Sequence, residues 1–145
     1  MGKGFRYVEH TADIEFIATG ATIEETFTNA LLALFDTQSD TKTLSTAKSP
    51  KRDFTVKEKT GNLEELLWRV LQDTLSVTDS EARFGYDVSD IKITQVKTGY
   101  SFTGRIITKP QSAKLSKLDV KGVAKYDLKV KRTRRGYSAS VVLDV

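Results

Sequence analysis

Ile91-Lys92-Ile93-Thr94-Gln95-Val96-Lys97-Thr98-Gly99-Tyr100-Ser101-Phe102-Thr103-Gly104-Arg105-Ile106-Ile107-Thr108 reads as two strands folded back on each other at Gly99. Isoleucines alternate with polar residues before the glycine, and aromatic and β-branched residues follow it, as a pleated, half-buried surface requires. The same texture persists from about residue 83 onward: 84–88, 91–96, 100–108, 120–130 and 137–143 all read as strands. Gly85, Gly99 and Gly136 punctuate them, and 133–136 forms a second hairpin turn.

Upstream the pattern is mixed. Residues 5–9 and 14–18 carry aromatic and β-branched residues and read as two strands, the second run stopping at Gly20. Thr22 with Glu25 makes a capping box, and Ile23, Phe27, Ala30, Leu31, Leu34 and Phe35 then recur at helical spacing, which predicts a helix over 22–37. The Ser-, Thr-, Lys- and Asp-rich stretch 38–50 reads as a polar loop closed by Pro50, and 52–59 as a third strand. A second helix starts at Asn62 with Glu65 three residues on, its apolar stripe being Leu63, Leu66, Leu67, Val70, Leu71 and Leu75. The two helix starts parallel each other, Thr22-Ile23-Glu24-Glu25 against Asn62-Leu63-Glu64-Glu65. That fits an old duplication or simple convergence of capped amphipathic helices.

Two strands, helix, strand, helix and then a run of strands is not the strict alternation of a parallel α/β fold. The expected class is α+β: a single domain over 1–145 with largely antiparallel sheet and two amphipathic helices packed on it. A length of 145 residues suits one hydrophobic core. The absence of cysteine excludes disulfides, thiolate zinc sites, iron–sulfur ligation and cysteine nucleophiles. No stretch approaches the roughly 20 apolar residues of a membrane span, and the first 20 residues lack the apolar core of a signal peptide, so a soluble, cytoplasmic protein is expected.

The net charge of +4 is mildly basic and unevenly placed, with Lys129, Lys131, Arg132, Arg134 and Arg135 crowded together. They suit an RNA phosphate backbone or an acidic surface. They equally suit an edge strand and hairpin tip that face solvent and discourage sheet-to-sheet pairing.

Glu9-His10-Thr11-Ala12-Asp13 lies between the first two strands and holds the only histidine. His10 could act as a base, bind a metal or stabilise a turn, and Thr11 and Asp13 could build a turn by bonding backbone N–H groups. One histidine excludes paired-His zinc motifs, and no Gly-rich phosphate loop is present. At the far end the strand alternation runs to Asp144-Val145, setting an acid beside the final carboxylate. If the fold brings Asp13 to that point, the oxygen donors call for a hard cation such as calcium or magnesium. A salt bridge to Lys or Arg would answer the same charge.

The stretches Tyr7-Val8-Glu9-His10-Thr11-Ala12-Asp13-Ile14, Thr22-Ile23-Glu24-Glu25-Thr26-Phe27-Thr28-Asn29-Ala30, Asn62-Leu63-Glu64-Glu65-Leu66-Leu67-Trp68, Val120-Lys121-Gly122-Val123 and Val141-Val142-Leu143-Asp144-Val145 resemble the archease family. The resemblance implies a non-enzymatic cofactor of the RtcB-type RNA ligase in tRNA splicing and repair, promoting guanylylation of the ligase histidine and repeated turnover. GTP and manganese chemistry would belong to the ligase. It also implies a divalent cation, calcium with magnesium or manganese as alternatives, held by Asp13, Asp144 and Val145. Where the family has a Thr-Tyr/Trp-His run, this chain has Ala124-Lys125-Tyr126-Asp127.

Two other readings stand beside it. A small basic RNA-binding module or tRNA-processing chaperone would hold tRNA through Lys129, Lys131, Arg132, Arg134 and Arg135, with Tyr100, Phe102 or Tyr137 stacking on bases. An enzyme would use His10 and Asp13 as an acid–base pair and turn over RNA without a ligase.

Overall fold

The computed structural model describes residues 4–9 and 13–145. The elements run β1 (Phe5–Val8), β2 (Ile14–Gly20), α1 (Ile23–Gln38), α2 (Thr41–Thr46), β3 (Arg52–Thr60), α3 (Leu63–Ser80), β4 (Arg83–Val96), β5 (Gly99–Pro110), β6 (Gly122–Val123), β7 (Lys129–Thr133) and β8 (Gly136–Asp144). The expected α+β class with antiparallel sheet is what the chain adopts. Its strands are divided between two sheets, β1-β2-β8 with β6 and β7 both on the far edge of β8, and β3-β5-β4. All these pairings are antiparallel.

Helices α1 and α3 each touch both sheets and so form a middle layer. That explains why α1 buries residues over most of its circumference, from Thr26 and Phe27 through Ala33 and Leu34 to Gln38. Phe16, Ala18, Ala139, Val141 and Leu143 enter the core from one sheet, and Val56, Phe102 and Ile106 from the other. Phe27 of α1 stacks on Phe102 of β5, with ring centroids 6.0 Å apart.

Both long helices start where their caps predict. Thr22 Oγ1 accepts the Glu25 N–H at 3.1 Å, and Asn62 Oδ1 accepts the Glu65 N–H at 2.8 Å. Each such cap contributes about 1 kcal/mol. At the other end of α1, the Tyr7 hydroxyl donates to Asp36 Oδ2 at 2.7 Å and ties edge strand β1 to the helix. Burial, reinforced by the Asp36 carboxylate, pushes the Tyr7 phenol above its ordinary range.

The polar stretch 38–50, expected to be a loop, contains the short helix α2. Asp40 caps it by accepting the Thr43 N–H at 3.1 Å, and its one apolar residue, Leu44, is buried. Its last carbonyls are satisfied from a distance. Buried Lys109 on β5 donates its Nζ to the oxygens of Leu44, Ser45 and Ala47 at 3.0, 3.0 and 2.7 Å. Bonds from a charged donor are worth about 1.5–3 kcal/mol, enough to hold a helix too short to persist alone.

Two strand boundaries also differ from expectation. Residues 84–96 form one long strand, bent by irregularities between Gly85 and Asp87 and between Ser89 and Lys92, with Asp90 at φ 56°. The expected strand 120–130 survives only as β6 and the start of β7. Helix α3 captures Val123 on both sides, Trp68 Nε1 donating to its oxygen at 2.8 Å and its N–H donating to Gln72 Oε1 at 3.0 Å. After Ala124, whose N–H still reaches the Val142 oxygen, residues 125–128 leave the ladder. At the β7–β8 turn, Gly136 has φ +146°, and a Cβ there would lie 2.1 Å from the Gly20 oxygen, so glycine is required.

Glu58 on β3 faces Asp73 on α3, with Arg69 nearby. Burial, then a hydrogen bond and charge repulsion from Asp73, push its carboxyl from 4.5 up to about 7, against a lowering by Arg69. Between those values the folded chain binds more protons than the unfolded one, so this pair makes stability fall as pH rises from about 4.5 to about 7. Glu58→Gln is expected to raise the melting temperature at pH 8 and to lose that advantage near pH 4, as read by thermal denaturation across pH. An identical gain at both pH values would contradict the pairing.

Candidate functional site

The β2–β8 ladder fixes the site. Its register runs from Gly20 opposite Tyr137 to Ile14 opposite Leu143. Continued by one step, it sets Asp13 across from Asp144. Ile14, Phe16, Ala18, Ala139, Val141 and Leu143 belong to the core, so strand alternation turns Asp13, Glu15, Ser140, Val142 and Asp144 to the opposite face. The Glu15–Ser140 hydrogen bond at 3.0 Å confirms that these positions share a face.

Asp144 is held at its backbone on its other flank. Its oxygen accepts the Lys121 N–H at 2.7 Å, and Gly122 pairs with it as the first residue of β6. Gly122 leaves room beside the carboxylate: a Cβ there would lie 3.9 Å from Asp144 Oδ2 and 3.7 Å from Gln72 Oε1. Trp68 and Gln72, one turn apart on α3, position β6 and through it Asp144. The sequence reading missed this support, although the i, i+4 spacing of two long polar-tipped side chains was visible.

Asp13 is half-buried, Asp144 is exposed and Val145 is 38% exposed. Among the described residues neither aspartate has a Lys or Arg partner, so the competing salt bridge is not what answers their charge. Among the described residues there is also no group of three acid or histidine side chains close enough to hold a metal ion. Glu15, the third acid on this face, is engaged by Ser140 instead. His10 and Thr11 lie outside the described residues.

The other predicted residues fall elsewhere. Lys129, Lys131 and Arg132 lie on β7, and Arg134 and Arg135 on the hairpin that follows. Phe102 is buried in the core, Tyr100 packs against the core, and Tyr137 lies half-buried with the Arg132 guanidinium 5.9 Å from its ring centre. Of the three aromatics, Phe102 is thus enclosed, while Tyr100 and Tyr137 keep part of their surface exposed.

The model of the archease protein family matches residues 5–145. The chain belongs to the archease family. It is 30% identical over 141 residues to the protein archease of Archaeoglobus fulgidus, covering 97% of this chain and 98% of that one. It is 32% identical to that of Methanosarcina barkeri, covering 100% and 98%. The solution structure of Methanobacterium thermoautotrophicum protein 1598 superposes with a TM-score of 0.74 at 25% identity, covering 99% of this chain and all of that one. The crystal structure of an archease, "possible chaperone", from Thermotoga maritima shares the fold, with a TM-score of 0.57 at 20% identity and 95% and 94% coverage. No helix among the described residues is long and apolar enough to cross a membrane.

The donors at the end of the ladder are oxygens, two carboxylates and a carbonyl at Val145, a set that suits a hard cation and leaves most of its shell open. Were calcium held by this set, it would stabilise the protein against heat. At a concentration a hundredfold above Kd the gain is about 2.7 kcal/mol, or about 5–10 °C in melting temperature. The shift should vanish in Asp144→Asn, and equal shifts in both proteins would remove the site.

Proposed function

We propose that this chain is a non-enzymatic activator of an RtcB-type RNA ligase in tRNA splicing and RNA repair, promoting guanylylation of the ligase and its multiple turnover. The observation that supports the reading is the pairing of β2 with β8 inside a family match over residues 5–145; one step past Ile14 and Leu143, that register would set Asp13 across from Asp144 at one end of the ladder.

Asp13, Asp144 and the backbone oxygen of Val145 would hold a divalent cation, calcium by preference and magnesium or manganese otherwise. Three protein positions leave coordination sites open, and calcium takes six to eight oxygens, so water or groups of the partner complete the shell. When bound, such an ion offers positive charge to carboxylate or phosphate oxygens of the partner's active site.

The chain's own residues do the positioning. Asp144 pairs with Gly122 of β6 and follows Leu143, which pairs with Ile14 of β2, so its carboxylate is presented from a fixed backbone. Gly122 keeps the space beside it clear, and Trp68 and Gln72 hold β6 in place. GTP and manganese chemistry belongs to the ligase in this reading, and the chain supplies an oriented acid pair.

Guanylylation of the cognate ligase, followed with and without this protein, tests the proposal. Asp13→Ala and Asp144→Ala, both folded, should each abolish most of the stimulation, and chelation of divalent ions before mixing should do the same to the native protein. Stimulation that persists in both variants would contradict it.

A further inference from the structure

Tyr126 is 89% exposed, the most exposed large hydrophobic side chain among the described residues. Its loop is not loose. Val123 and Leu128, on either side, are buried, Trp68 and Gln72 bind Val123 from both sides, and Ala124 N–H donates to the Val142 oxygen at 2.9 Å. The Lys125 ammonium lies 4.9 Å from the Trp68 ring centre, which holds the residue before Tyr126 against α3. An anchored loop thus presents a bare aromatic ring to solvent, at the cost of keeping its apolar faces wet.

Next to this ring begins edge strand β7. Lys129 and Lys131 pair with Ser140 and Ser138 of β8, so both lysines share the outer face of the sheet with two hydroxyls. They stand about 6.6 Å apart along the strand, close to the phosphate repeat of an extended polynucleotide. Arg134 and Arg135 continue the line into the hairpin, where they line a cavity of about 860 Å³ with Thr19, Gly20, Asn29 and Tyr137. Among the described residues Lys129, Lys131, Arg134 and Arg135 have no ion-pair partner, whereas Arg52, Arg69, Arg105 and Lys117 elsewhere do. Of the nearby acids, Glu64 accepts the Val130 N–H at 3.0 Å and Glu65 pairs with Arg69, while Asp127, between the ring and Lys129, is exposed.

We infer that Tyr126 and the outer edge of β7 form a binding strip for single-stranded RNA. The ring stacks on a base, while Lys129, Lys131, Arg134 and Arg135 neutralise successive phosphates, with Ser138 as a hydroxyl donor. Unpaired cations in a row with an exposed ring at one end match the two elements of single-strand recognition, a charged track and a stacking platform. A protein partner would instead need an apolar surround for the ring, and the cavity beside Tyr126 is lined by Asn62, Glu64, Glu65, Lys125 and Lys129 as well as Trp68 and Leu128. The choice of RNA over DNA rests on the proposed partnership with an RNA ligase; the strip itself does not depend on that partnership.

The test is binding of the isolated protein to a fluorescent oligouridylate of about 12 nucleotides, read by anisotropy across salt concentrations without any ligase. Four neutralised phosphates predict a log–log salt slope of about −3. Tyr126→Ala should weaken binding about tenfold with the slope unchanged. The double variant Lys129→Gln, Lys131→Gln should flatten the slope by about 1.4, and Lys57→Ala on the other sheet should change nothing. All four side chains are exposed, so the variants should melt like the native protein. No binding, binding indifferent to Tyr126, equal displacement by polyglutamate at matched charge, or tighter binding of an oligothymidylate of the same length would each overturn the assignment. No RNA binding by the native protein, in a preparation that still stimulates guanylylation, would sink this inference and leave the ligase reading standing.

Discussion

The antiparallel pairing of β2 with β8 is the constraint on which the rest of the structure depends. It joins residues more than a hundred positions apart in a seven-pair ladder and makes the centre of the larger sheet. Its inner face supplies Phe16, Ala18, Ala139, Val141 and Leu143 to the core against which α1 packs. Its outer face carries Glu15, Ser138 and Ser140, with Asp13 and Asp144 beyond one end. A shift of one residue in this register would turn the apolar set to solvent and separate the aspartates, so packing of the core and geometry of the site are enforced together.

The outer face is electrically polarised along the strands. Asp13, Glu15 and Asp144 cluster toward one end, and Lys129, Lys131 and the Arg134–Arg135 turn lie toward the other. Unpaired acids and unpaired bases are kept apart by the ladder, although salt bridges between them would have been easy to build in a small protein. In the proposed reading, leaving them apart would keep each available, the acids for a hard cation and the bases for phosphates.

What could be read from sequence was the local part. Thr22 with Glu25 and Asn62 with Glu65 mark their helices because a cap bonds only a turn ahead, and Gly99 and Gly136 mark hairpins because the turn conformation is a property of a few residues. Helix α2 was missed because its carbonyls are satisfied by Lys109, more than sixty residues away. The break of 120–130 into β6 and β7 was missed because Trp68 and Gln72 impose it from α3. The meeting of Asp13 with Asp144 was legible as a condition on the fold, and the resemblance to a family sharpened it. Tyr126 stood in the stretch that departs from the family's run and inside an expected strand, where an aromatic reads as core, while Phe102 and Tyr100, offered for stacking only in the RNA-binding alternative, pack in or against the core.

The account's central claim, that this register builds a cation site from Asp13 and Asp144, is tested most directly by manganese titration of the isotopically labelled protein with amide resonances observed individually. Selective broadening of the amides of Asp13, Ile14, Gly122, Leu143 and Asp144, relieved by calcium, is the predicted result. Broadening centred anywhere else, or none at these residues, would contradict it.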